Sequence, residues 1–234
     1  MQGFPTCAVV CWFGDVVRAR QADRAVVHRV PFEHGDHGIT IVEEGGLAPV
    51  ALVNAPVGAP AAVSTLEHLL ALGATDVIGC GGAGVIVSGF DVGHVIVPTS
   101  AVRDEGTSYH YVPAGEEVGP HPDALAAIVH TLSHEGVPFE LGRVWTTDAF
   151  FRETPAKIQR RREQGCVAVD MEASAMFAVA RFRGARYGQL LYAGDDVSAA
   201  EWDHRGWDRA EPVRERVLDL AVMAARRLSS PDLA

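Results

Sequence analysis

Short runs rich in valine and isoleucine alternate along this chain with segments whose apolar residues recur at helical spacing, and that alternation limits the possible folds most. The runs Cys7–Trp12, Ile39–Val42 and Val50–Ala55 read as strands. Ala61–Leu72 follows Pro60, sets Val63, Leu66, Leu69 and Leu70 at helical intervals, and stops at Gly73. A buried strand is expected over Thr75–Cys80, a glycine turn over Gly81–Gly84, and another strand near His94–Val97. The pattern then gives a helix over Pro122–His134, a strand over Glu140–Trp145 and a charged helix over Pro155–Gln164. Val167–Val169 is a short strand, Ala173–Phe182 a helix, and Tyr187–Ala193 an apolar strand that runs into Gly194-Asp195-Asp196. A helix over about Pro212–Leu228 ends the pattern. Such alternation implies an α/β fold: a single domain, 1–234, with a central mixed, mainly parallel twisted sheet flanked by helices on both faces. Ligands of such folds sit where strands end and loops begin.

The charge balance narrows the partners. Across 234 residues the formal net charge is -10, which argues against a nucleic-acid backbone and for a small neutral or mildly charged ligand. No stretch approaches the roughly 20 apolar residues that cross a bilayer, and Met1 to Phe13 lacks the features of a signal peptide, so no membrane partner is expected. Cys7, Cys11, Cys80 and Cys166 are scattered, without the His/Cys spacing of a zinc site. Reduced thiols, a cytoplasmic location and no metal or cofactor are the expectation.

Gly79-Cys80-Gly81-Gly82-Ala83-Gly84 matches G-x-G-x-x-G to the letter. A dinucleotide site also needs a helix opening directly after the glycines. Val85-Ile86-Val87-Ser88-Gly89 follows instead, and that is poor helix material. The alternatives are a tight turn with close backbone packing, or a turn whose free N–H groups, at Gly81 and Gly82, face an anion or a sugar.

Several segments resemble the nucleoside phosphorylase family, whose members include uridine phosphorylase, hexameric purine nucleoside phosphorylase and methylthioadenosine nucleosidase. They are Gly58-Ala59-Pro60, Leu72–Ile78 with the glycines after it, Asp91–Thr99, Arg103–Ser108 and Thr146–Phe151. The most specific is Val169-Asp170-Met171-Glu172-Ala173-Ser174-Ala175, which is similar to the family's (V/Y)-E-M-E-(A/S)-A signature. The matches keep the family's order over most of the chain.

The resemblance implies cleavage of the N-glycosidic bond of a nucleoside and assigns roles by position. Glu172 is the carboxylate that accepts the ribose 2′ and 3′ hydroxyls; otherwise it is an acid in a first helical turn. Met171 packs on the sugar or fills core. Asp170 is a helix N-cap or a ligand contact. Phe150 stacks on the base or packs in the core. Asp195, or Asp196 one place on, falls where purine-cleaving members carry the acid that protonates or hydrogen-bonds N7 of the departing base. A purine nucleoside is therefore the expected substrate. His110 reads as structural.

The anion site departs from the family pattern. Cys11-Trp12-Phe13-Gly14-Asp15 carries no arginine, Gly79 replaces the arginine before the glycines, and Val42 stands near the place of the arginine donated across a subunit contact. Arg103 and Arg152 are candidate substitutes, both read as surface residues. A dianion without cationic partners is costly in a desolvated pocket. Water is thus the expected acceptor, with Asp15 as a candidate base, and phosphate the alternative. A homo-oligomer, dimer or hexamer, follows from the resemblance. A NAD-dependent oxidoreductase, resting on the glycines, and a non-catalytic nucleoside-binding protein are the competing classes.

Overall fold

The structure, a computed structural model, describes residues 3–33, 35–44, 46–199 and 201–230. Its first strand, β1 (Cys7–Cys11), is buried at every position, as a strand must be when helices cover both faces. Ala8 and Val10 join the core on one face, Cys7, Val9 and Cys11 the core on the other. The elements that follow are α1 (Gly14–Gln21), β2 (Val26–Val30), β3 (His37–Val42), β4 (Val50–Asn54), α2 (Ala59–Leu72), β5 (Asp76–Val85), β6 (Val95–Asp104), β7 (Glu117–Val118), α3 (Pro122–His134) and β8 (Phe139–Thr147). Then come α4 (Pro155–Glu163), β9 (Cys166–Asp170), α5 (Ala173–Arg183), β10 (Arg186–Asp196) and α6 (Glu211–Ser229). The expected domain span, 1–234, runs past the described residues at both ends.

The strands form one mixed sheet in the order β10-β6-β8-β9-β5-β1-β4-β3-β2, with β7 on β6. Because β10 also pairs with β5, the strands β5, β10, β6, β8 and β9 close into a ring. Leu66 and Leu69 of α2 and the row Ala173–Ala180 of α5 pack on one side of the sheet. Val16 and Val17 of α1, Ile128 and Leu132 of α3, and Val217–Leu228 of α6 fill the other. Among the described residues no helix is long and apolar enough to cross a membrane.

The expected elements recur with small changes of length. The exception is the glycine segment. No turn interrupts Gly81–Gly84; β5 runs straight through them to Val85. None of Gly79, Gly81, Gly82 and Gly84 has a positive φ, so backbone freedom is not their purpose. Side chains press too close for a Cβ: it would overlap the Tyr187 hydroxyl at Gly79, and meet the Trp12 ring at 3.2 Å at Gly81 and the Tyr192 ring at 3.3 Å at Gly82. No helix opens after them, which removes the structural basis of the dinucleotide reading. Helix α1 was not anticipated, because it buries only Val16 and Val17, too thin a stripe to register as periodic. The edge strand β2 escaped for a similar reason: its valines at 26 and 27 are exposed.

Candidate active site

A cavity of about 690 Å³ opens where several strands end. Trp12 and Phe13 after β1, Gly81–Gly84 of β5 and Val169–Glu172 at the end of β9 form its floor and sides. Phe150, Phe151 and Glu153, in and just after a 3-10 turn following β8, line it together with Gly194 and Asp195 of β10. Trp202, His204 and Trp207 from the loop beyond β10, with Arg214 of α6, complete the wall.

Glu172 reaches this cavity because β9 stops one residue after Val169 and α5 begins at Ala173. The turn is held by Asp170, whose Oδ2 accepts the N–H groups of Ala173 (2.7 Å) and Glu172 (3.3 Å) while Oδ1 accepts the Thr146 hydroxyl (2.7 Å). The N-cap of α5 is Glu172 rather than Asp170; Asp170 braces the turn from two residues upstream, and its carboxyl is committed to that task. Gly58 adds a second fixture. At φ +100, a conformation suited to glycine, its N–H donates to Glu172 Oε1 at 2.7 Å. Burial pushes the Glu172 carboxyl up to about 8, the Asp170 charge adds to the rise, and the Gly58 N–H opposes it. Burial likewise raises Asp170 to about 6 against its hydrogen bonds.

Asp195 sits in a β-bulge. Ala193 pairs with Ala83 and Asp196 with Val85, so Gly194 and Asp195 together stand opposite Gly84. A bulge of this kind bends the strand and re-aims a side chain. The Arg205 guanidinium secures it by donating to Gly194 O at 2.9 and 2.6 Å. Trp202 Nε1–H donates to Asp195 Oδ2 at 2.7 Å. Asp196 does not line the cavity: its Oδ1 accepts Ser198 N–H at 2.6 Å, and its carboxyl also faces Arg205 at 3.7 Å.

Glu172, Met171, Asp170, Phe150, Gly81, Gly82 and Asp195 therefore share one cavity. Phe150 is half exposed at the rim, its ring 4.1 Å from that of Phe151. The remaining candidates lie elsewhere. Asp15 stands outside the wall at the head of α1, and its two oxygens face Arg214 Nη2 at 2.8 Å and Nη1 at 2.9 Å. Arg103 is no surface residue: it is buried, donates to Ser108 Oγ at 2.8 Å and to Pro113 O at 2.7 Å, and lies over the Tyr109 ring. Arg152 is exposed and outside the wall, and His110 belongs to a separate open groove.

Three wall residues had no signal of their own in the sequence. Arg214 is the one arginine or lysine of this wall among the described residues. It stacks on Phe13, and its buried Nε has no hydrogen-bond partner. Glu153 is pushed up to about 7, first by burial, then by the Asp195 charge, with Lys157 opposing. Trp202 is the donor to Asp195 already described.

A family model described as the phosphorylase superfamily matches residues 7–230. A guanosine phosphorylase of Halorubrum lacusprofundi is 28% identical over 170 residues, covering 73% of this chain and 70% of that protein. A solved uridine phosphorylase from Vibrio fischeri aligns with a TM-score of 0.78 and 26% identity, over 97% of this chain and 92% of that one. An AMP nucleosidase from Bacteroides thetaiotaomicron aligns with a TM-score of 0.75 and 22% identity, over 98% of this chain and 91% of that one, a likeness of fold.

Proposed function

The chain belongs to the phosphorylase superfamily, and from that premise we propose that it cleaves the N-glycosidic bond of a purine nucleoside with water as acceptor. One observation carries the reading: Glu172 and Asp195, far apart in sequence, line the same cavity with Phe150 and Met171 beside them. In this reading Glu172 grips the ribose hydroxyls, Met171 packs on the sugar and Phe150 stacks on the base. Asp195 serves the base edge, where negative charge develops as the bond breaks. The purine preference rests on Asp195; of the relatives above, the guanosine phosphorylase agrees with it and the uridine phosphorylase does not.

Water is favoured because the anion site has lost its cations. The space beside Gly79 is filled by the Tyr187 hydroxyl and the Trp12 ring, Arg103 is engaged elsewhere, and Arg214 already faces Asp15. Asp15, held by Arg214, is a counter-ion in this arrangement, which weakens its case as the base for water. Phosphorolysis is the second reading: a guanidinium suits a phosphate oxygen pair, and Arg214, the arginine of this wall, would serve if it turned away from Asp15. A cytoplasmic enzyme agrees with four buried, unpaired cysteines. Assembly into a dimer or hexamer agrees with the exposed Phe151 and Val57 at the cavity mouth.

The test is chromatography of products from a nucleoside panel, run with and without phosphate. Free base and free ribose in phosphate-free buffer is the expected result. Strict phosphate dependence, with ribose 1-phosphate as product, would reverse the choice of acceptor. A panel releasing no base would remove the enzymatic reading.

A further inference from the structure

Four carboxyl groups line the cavity: Glu153, Asp170, Glu172 and Asp195. Three of them are engaged. Asp170 holds the turn into α5, Glu172 takes the Gly58 N–H, and Asp195 takes the Trp202 indole. No hydrogen bond or ion pair holds the Glu153 carboxyl among the described residues. Glu153 also lines this cavity three residues beyond Phe150, and Asp195 is on the same wall, which is the base end of the site in the reading above.

We propose that Glu153 is the catalytic acid that protonates the departing base, with Asp195 orienting the base edge. The inference rests on the proposed cleavage reaction and divides the work of its two base-side carboxyls. As the C–N bond breaks, its electron pair leaves with the base, and the Glu153 O–H proton goes to a base nitrogen. The sugar carbon forms its new bond to the acceptor oxygen. With water as acceptor, that water gives up one proton, which restores Glu153 directly or through solvent, so the reaction sums to nucleoside plus water giving base plus sugar.

The chemistry asks for a carboxyl that still carries a proton near neutral pH and is free to move toward the ligand. Glu153 meets both conditions. Burial and the Asp195 charge from β10 raise it to about 7, and Lys157, one turn into α4, is the facing cation that opposes them. An acid of this kind works while protonated, so turnover falls as pH rises through about 7.

The test compares wild type with Glu153→Gln on two substrates: a cleaved purine nucleoside, and 4-nitrophenyl β-D-ribofuranoside, whose phenolate leaves without a proton. The expected result on the purine nucleoside is a fall in kcat of about 100-fold or more with little change in KM. Cleavage of the nitrophenyl riboside stays within roughly 3-fold of wild type, which also certifies the fold, and the basic limb of the kcat profile disappears. Equal losses on both substrates, or wild-type turnover of the purine nucleoside by Glu153→Gln, would overturn the assignment. If the wild type cleaves the nucleoside and Glu153→Gln matches it, the proposed function stands and Glu153 alone is wrong. If the wild type releases no base, both fall together.

Discussion

Binding of a ribosyl ligand is expected to drive a proton off Glu172. Burial and the Asp170 charge hold this carboxyl up to about 8, so at neutral pH it is mostly protonated. Two sugar hydroxyls donating to it favour the ionised form and pull the value back down. A return toward the ordinary carboxylate range is a change of roughly three units, each worth about 1.4 kcal/mol. The proton released is measured by titration calorimetry at about pH 7 in buffers of different ionisation enthalpy. A C-nucleoside serves as ligand because its carbon–carbon link resists cleavage. Close to one proton per site is expected, falling away above about pH 9, where Glu172 is already ionised. Glu172→Gln should release none. Tight binding with no buffer dependence, or with proton uptake, would refute the reasoning.

The same burial makes a prediction for stability, and its sign is fixed. A carboxyl whose folded value lies above its unfolded one favours the fold most when protonated. Its contribution is full below the ordinary value of 4.5 and is lost as pH rises through about 8. Glu172→Gln keeps an acceptor for the Gly58 N–H but cannot ionise. Its Tm relative to wild type should therefore climb from about pH 5 to about pH 9, by an amount bounded at roughly 5 kcal/mol. At about 2–4 °C per kcal/mol for a chain of this size, that limit is on the order of 10 °C. Parallel Tm curves for the two proteins would show that the buried charge is not being felt.

Asp195→Asn should misplace the base edge and lower kcat by about 100-fold while changing KM by less than roughly 3-fold, measured by steady-state kinetics. It should also move the basic limb of the profile toward lower pH, because the charge that raises Glu153 is gone; an unmoved limb would count against the coupling of the two groups. Gly79→Ala should destabilise the protein by about 1–3 kcal/mol in thermal unfolding, since the new Cβ overlaps the Tyr187 hydroxyl. A glycine kept for flexibility alone would give the opposite sign, a gain of about 0.4–1 kcal/mol.

What the sequence displayed, and what it hid, follows from the range of each interaction. Strand and helix positions were legible because burial on two faces writes itself into local spacing, as in Val50–Asn54 and Pro122–His134. Glu172 and Asp195 were legible as acids at strand ends in a familiar order. Arg214 was not, because its partner Asp15 lies 199 positions away and an arginine on an amphipathic helix looks like an ordinary solvated face. Arg103 misled for a different reason: its partners Ser108 Oγ and Pro113 O are near in sequence, but only the fold of the segment between β6 and β7 wraps them around its guanidinium. The glycines misled differently. A glycine needed for positive φ and one needed for close approach are the same letter, and only the neighbours Trp12, Tyr187 and Tyr192 tell them apart.

The charge distribution of the cavity bears on the choice of acceptor more than any single residue does. Its wall holds four carboxyl groups and one arginine among the described residues, and that arginine already faces Asp15. In the proposed reaction Glu172, once ionised by the sugar hydroxyls, favours positive charge growing on the sugar carbon as the glycosidic bond lengthens. The same carboxylate disfavours a phosphate dianion arriving at that carbon, because the dianion meets it with little cationic compensation. Phosphate gains a foothold only if Arg214 gives up Asp15. The Asp15–Arg214 pair is thus the point on which the two reactions divide: while it holds, Arg214 is largely neutralised and water meets the least electrostatic resistance.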